Sequence, residues 1–157
     1  MKWARDSLGN VTLDVVIGPF FDNAQAIERA AAQSLDRVVI HYDPQDMRTL
    51  MVEADIAITG GGQTTYELAA SGTPAVAICL ADNQAANLAG LAQAGTLDYC
   101  GSARDDDLGV KIDAALKVLA ADVKRRQEMS ARGRQLVDGR GAQRVAQAIV
   151  EYVGGRL

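Results

Sequence analysis

The chain has one histidine, His41, and two cysteines, Cys79 and Cys100, in 157 residues. A single imidazole excludes a metal site built mainly on histidine, and no metal or cofactor is expected. Two cysteines are too few to staple a domain of this size. Both stand in apolar, strand-like runs where a thiol packs as a small hydrophobe, so the reading is a reducing, cytoplasmic protein. Positive charge is scarce too, with 16 Lys+Arg against 20 Asp+Glu and a formal net charge of -4. General nucleic-acid binders neutralise phosphates with a clear cationic excess, so that class is excluded. No apolar run approaches the roughly 18 residues of a membrane-spanning helix, and Met1–Asn10 lacks the apolar core of a signal peptide. Internal repeats and low-complexity linkers are absent as well.

What is there is apolar material for a core, 48% of the residues. At this length the chain reads as one domain over residues 1–157. Short β-branched runs alternate with segments rich in Ala, Leu, Gln, Arg and Glu, the pattern of βα units around a parallel sheet. The expected strands are Thr12–Ile17, Arg37–His41, Asp55–Thr59, Ala75–Leu80 and Thr96–Tyr99. Helices are expected over Asn23–Gln33, Gln45–Glu53, Gln63–Ser71 and Asn83–Ala94, with Asp43-Pro44 as a cap and glycine stops at Gly72 and Gly95. After Gly101 the strand signal ends, and Asp105–Ala121, Asp122–Val137 and Gln143–Val153 read as a helical tail. Lys124-Arg125-Arg126, Arg132, Arg134, Arg140 and Arg144 read there as a solvated face, interspersed with Asp122, Glu128 and Asp138. The fold class is α/β, a single doubly wound parallel-sheet domain finished by helices.

Ligands of such sheets sit outside the carboxyl ends of the strands, which points to three loops: 18–23, 41–43 and 60–65. Gly60-Gly61-Gly62 follows a strand and opens a helix at Gln63-Thr64-Thr65-Tyr66-Glu67. Bare N–H groups and a helix dipole there make a phosphate cradle, or else the glycines merely permit a tight turn. The run lacks the Gly-Lys-Ser/Thr ending of a P-loop, and Thr65 stands where a dinucleotide fingerprint has its third glycine. Glu67 either steadies the helix N-terminus or accepts hydrogen bonds from the vicinal hydroxyls of a ribose. Asp82-Asn83-Gln84 is a helix cap or a set of sugar-recognising amides. His41 is a base near neutral pH or a structural residue at a strand end, and no partner for it is legible.

Read together, VVIGPFFDN (15–23), the core 51–95 and VDGRGAQRVAQAI (137–149) resemble the C-terminal, Rossmann-like domain of GT-B nucleotide-sugar enzymes. Within that group the chain looks most like the UDP-sugar hydrolases of the pseudaminic-acid pathway and the spore-coat polysaccharide proteins. The lipid II-forming N-acetylglucosaminyltransferase is a more distant relative. The resemblance implies that Gly61, Gly62, Gln63, Thr64 and Thr65 lie near a diphosphate and that Glu67 holds ribose hydroxyls. It implies that Asn83 and Gln84 face the diphosphate and sugar, while His41 and Tyr42 lie where uracil rests against a loop.

In that family the catalytic base belongs to an N-terminal half, so no catalytic residue is assigned here and this chain alone is expected to be inactive. The expected role is the UDP-sugar-binding half of a transferase or hydrolase of cell-surface polysaccharide biosynthesis. The alternative is a non-catalytic binding or subunit module acting with a partner chain. The resemblance also implies an opening strand that the 157 residues do not supply, Met1–Leu8 matching the end of the first helix. On that expectation the chain is a fragment, a remnant or one half of a split enzyme. Thr12–Ile17 and Asp55–Thr59 then flank a vacant central position. Those two strands must close on each other or borrow pairing from a second copy, which makes a homodimer or larger assembly the expected state.

Overall fold

The computed structural model describes residues 11–34 and 37–154, so the expectations that fall on Met1–Asn10 lie outside the described residues. The order is β1 (Thr12–Ile17), α1 (Ala24–Ala32), β2 (Arg37–Tyr42), α2 (Met47–Glu53), β3 (Ala57–Gly60) and α3 (Thr64–Ser71). It continues through β4 (Ala75–Cys79), a 3-10 turn at Asp82–Gln84, α4 (Ala85–Gln93), β5 (Leu97–Ser102), α5 (Leu108–Ala121), α6 (Val123–Leu136) and α7 (Gly141–Gly154). Every expected strand and helix is present. β3 starts two residues late, where Ala57 N–H first donates to Pro74 O at 2.9 Å. β5 runs on to Ser102 because a register shift opposite Ala77 and Cys79 carries it past Tyr99, with Gly101 at φ 104°. Glycine supplies that left-handed geometry without a Cβ penalty, so here it bends a strand that sequence reading would end.

All strand pairs are parallel, but the expected single sheet is divided in two. β1 pairs with β2, and β3, β4 and β5 form a second sheet in that order, with no pairing between β1 and β3. β4 lies between two neighbours and is buried on both sides. Ala75, Ala77 and Cys79 pack in a cluster with Met51 of α2, Leu68 of α3 and Leu88 and Leu91 of α4. Val76 faces the other way, against Leu116 and Leu119 of α5, Cys100 of β5 and Met129 of α6. Helices on both faces are what a parallel sheet needs, and they explain why β4 is apolar without alternation.

The caps are partly those expected. Gly72 and Gly95 stop α3 and α4 in the left-handed region, with φ 74° and 73°. The cap before α2 is Asp46, not Asp43. Its carboxylate accepts from Thr49 N–H at 3.0 Å and from the Thr49 hydroxyl at 2.7 Å. Asp43 instead holds φ 42°, and its N–H donates to Ile17 O at 2.9 Å, turning the chain away before the helix begins.

The tail arginines are not simply a solvated face. Arg126 donates to Leu119 O and Ala120 O at the end of α5, and Arg134 donates to Ser71 O at the end of α3. Cations at helix C-termini satisfy the last carbonyls and complement the dipole. The same helix pair is held close by Gly133, where an added Cβ would lie 2.7 Å from Ala69 O and 3.1 Å from Ala69 Cα. Backbone cannot retreat cheaply, so Gly133→Ala is expected to cost about 1–3 kcal/mol of stability. Urea unfolding checks this, and a variant as stable as the parent would show that α3 and α6 separate freely. α7 leaves Val145, Ile149, Val150 and Val153 each more than half exposed along one apolar side.

Candidate functional site

The glycine run at the end of β3 packs for reasons of space rather than unusual φ. None of Gly60, Gly61 and Gly62 has a left-handed φ. A Cβ on Gly60 would meet Leu80 Cδ1 at 2.6 Å, and one on Gly61 would meet Leu88 Cδ1 at 2.7 Å and Gln84 Cβ at 2.9 Å. Both glycines therefore let β3 press against the β4–α4 connection. Gly62 is different: it is exposed, and among the described residues nothing lies within 4 Å of its Cβ position. Neither backbone geometry nor a protein neighbour asks for glycine at 62.

Gly62 leads into α3. Thr65 N–H and hydroxyl both point back to Gly62 O, at 3.1 and 2.8 Å, and Tyr66 and Glu67 N–H groups close on Gln63 O at 2.9 and 3.3 Å. Thr65 is buried, so its hydroxyl shapes the loop from beneath. The N–H groups of Gly62, Gln63 and Thr64 make no hydrogen bond among the described residues. Three donors at the positive end of a helix form a place for an anion. Glu67 lies in the first turn of the same helix and is exposed.

The β4–α4 connection completes this side. Among the described residues Asp82 makes no capping bond and pairs only with Arg104, at 3.4 Å on the surface, so the cap expected there is replaced by a bare 3-10 turn. Gln84 Oε1 accepts from Leu80 N–H at 2.9 Å, which fixes the side chain against Gly61 and leaves its NH2 donors without a partner among the described residues. Asn83 is exposed. Tyr66 on α3 donates to Asn87 Oδ1 on α4, tying the two helices across the loop. Sequence reading did not find this link, whose only signal was a tyrosine and an amide on separate helices.

His41 and Tyr42 form a second cluster at the end of β2. His41 Nε2 lies 2.7 Å from Asp14 Oδ1, with both side chains partly exposed. The partner missing from the sequence reading is thus a charge inside the apolar run of β1, brought near by the parallel register that sets Asp14 opposite Val39 and Val16 opposite His41. Tyr42 donates to Glu28 of α1, and that bond holds its phenol above the usual range. Phe20, in the adjoining loop, is almost wholly exposed. No hydrogen bond among the described residues joins this cluster to the glycine loop, and the two stand on different sheets.

A cleft of about 470 Å³ lies elsewhere, at the amino end of β5, lined by Leu97, Asp98, Lys124, Arg125 and Arg132 among others. Its Arg125 and Asp98 pair with each other at 2.6 Å. Burial raises the thiol of Cys100 above its usual value, as expected of a core cysteine. Among the described residues no cluster of ligating side chains forms a metal site, and no helix is long and apolar enough to cross a membrane.

Known structures share this fold. MurG from Acinetobacter baumannii superposes with a TM-score of 0.70 at 23% identity, covering 90% of this chain and 42% of that one. The glycotransferase of kitacinnamycin gives a TM-score of 0.60 at 22% identity, covering 90% of this chain and 43% of that one. The chain therefore spans less than half the length of these neighbours. No protein-family model and no curated protein matches it. The likeness establishes the fold, a Rossmann-like GT-B half with a helical C-terminal tail.

Proposed function

We propose that the chain binds UDP or a UDP-sugar, as the donor half of a GT-B type enzyme of cell-surface polysaccharide biosynthesis. The observation that carries this reading is Gly62, a glycine required by neither φ nor packing, beside three unpartnered N–H donors at the start of α3. A diphosphate oxygen fits such donors, and a side chain at 62 would stand in its way. Glu67, one turn along, accepts the ribose hydroxyls. Asn83 and the free NH2 of Gln84 face the diphosphate and sugar across the loop. Tyr42 and the backbone about His41 hold the uracil from the end of β2. Whether the donor sugar is transferred or hydrolysed is decided by the acceptor site in the other half of the enzyme. General acid–base groups acting on water or an acceptor come from the other half of the enzyme.

Calorimetric titration with UDP, UDP-N-acetylglucosamine and ADP tests the reading. Weak binding of the uridine ligands is expected, with ADP weaker still. Equal affinity for ADP would overturn the uridine assignment, and no binding of any of the three would overturn the nucleotide reading itself.

A further inference from the structure

The connections that follow β3, β4 and β5 span residues 61–63, 80–84 and 103–107, at the carboxyl end of one parallel sheet. Their charges are lopsided. Carboxylates stand at Asp82, Asp105, Asp106 and Asp107, and Glu67 follows in the first turn of α3, whereas Arg104 is the one Lys or Arg in the three connections. Lys111, near the start of α5, is already held by Asp107 at 2.8 Å and Asp105 at 3.3 Å. A diphosphate drawn to the start of α3 therefore meets an acidic rim, which Arg104 alone of these loop residues opposes. The loop that carries Arg104 is firmly placed. Ala103 N–H donates to Cys79 O at 2.9 Å and moors the loop beside the β4–α4 connection, just after the register shift and left-handed Gly101 have re-aimed the chain. Ser102 N–H donates to the Asp105 carboxylate at 3.1 Å, and Arg104 N–H donates to Ser102 Oγ at 3.2 Å. The backbone at 104 is thus fixed while its side chain is 77% exposed, and Asp82, which it meets at 3.4 Å, is 91% exposed. An ion pair so open to water contributes little and exchanges readily.

We propose that Arg104 binds the second phosphate of a nucleoside diphosphate, with Asp82 as the partner it gives up, an inference that rests on the nucleotide reading above. Strand order sets the order of the loops: the glycine loop follows β3, Asn83 and Gln84 follow β4, and Arg104 follows β5. Asp82 opens the same 3-10 turn as Gln84, whose Cβ stands 2.9 Å from the Cβ position of Gly61. Arg104 therefore reaches the ligand from the side of Gln84 away from the glycine loop. The three N–H donors of α3 serve the first phosphate, and the group beyond it is the second. A guanidinium offers two parallel N–H donors that match two phosphate oxygens, a stronger pairing than the single 3.4 Å contact with Asp82. Binding then trades one anion for another, so no cation is left unpaired at either stage.

Calorimetric titration of the parent and its variants with UDP and UMP tests this. The parent is expected to favour UDP, and Arg104→Gln to lower UDP affinity by about tenfold or more while changing UMP affinity less than about twofold. Arg104→Lys keeps the charge without the fork and is expected to recover part of the loss. Asp82→Asn removes the competing carboxylate and is expected to tighten UDP binding by about two- to threefold, a gain that vanishes when Arg104→Gln is added. UDP affinity that survives Arg104→Gln overturns this proposal alone. Equal losses for UDP and UMP overturn it too, since they assign Arg104 to the shape of its loop. A gain from Asp82→Asn that persists beside Arg104→Gln does the same, because Asp82 then repels the ligand directly. A parent that binds neither nucleotide overturns the nucleotide reading and this proposal with it.

Discussion

Leu88→Ala is expected to lower folding stability by roughly 2–5 kcal/mol, the range for emptying a fully buried leucine site. Leu88 is 0% exposed and sits in the cluster that joins α2, α3 and α4 to β4. Its side chain is also the floor of the glycine loop, since its Cδ1 lies 2.7 Å from the Cβ position of Gly61. The truncation therefore does two things, leaving a cavity in the core and withdrawing the surface against which Gly61 is held. Leu119→Ala separates them. Leu119 is equally buried, but it belongs to the cluster on the opposite face, remote from the loop. Urea unfolding should show losses of similar size in the two variants, and UDP titration should show weakened binding in Leu88→Ala alone. A loss below about 1 kcal/mol for Leu88→Ala would mean that the core collapses into the site without penalty. Equal affinities in the two variants would detach the loop from its floor.

Glu67→Ala is expected to weaken UDP binding by roughly 1.5–3 kcal/mol, the usual worth of hydrogen bonds to a charged acceptor. In dissociation constant that is about 10- to 150-fold. The competing role makes a different forecast. A carboxylate in the first turn of α3 that merely complements the helix dipole contributes about 0.3–1 kcal/mol of stability and nothing to affinity. Because Glu67 is exposed, its removal should leave the fold intact, which makes affinity the clean readout. Calorimetry on the folded variant decides between the roles, and an unchanged affinity assigns Glu67 to the helix dipole.

The sequence by itself determined the elements and their kind. β-branched runs such as TLDVVI and AVAIC form strands, Gly72 and Gly95 stop helices, and the doubled burial of β4 follows from its unbroken apolar character. These are local matters of propensity, periodicity and turn chemistry, and they act over a few residues. The glycine loop was legible for the same reason, as three glycines between a strand and a helix. What the sequence left open was why each glycine is there. Only the packed structure separates Gly60 and Gly61, pressed on Leu80 and Leu88, from Gly62, which has open space. Partners far apart in the chain were likewise beyond local reading. Asp14 meets His41 across 27 residues, and Arg134 reaches Ser71 across 63, because strand register and helix packing decide such meetings. The division of the sheet belongs to both levels. Sequence reading expected β1 and β3 to close on each other or to borrow pairing from a second copy, and in three dimensions the two strands do not pair with each other. Backbone hydrogen bonds are satisfied pairwise between strands, so whether an edge is open is a property of neighbours in space, which no single segment encodes.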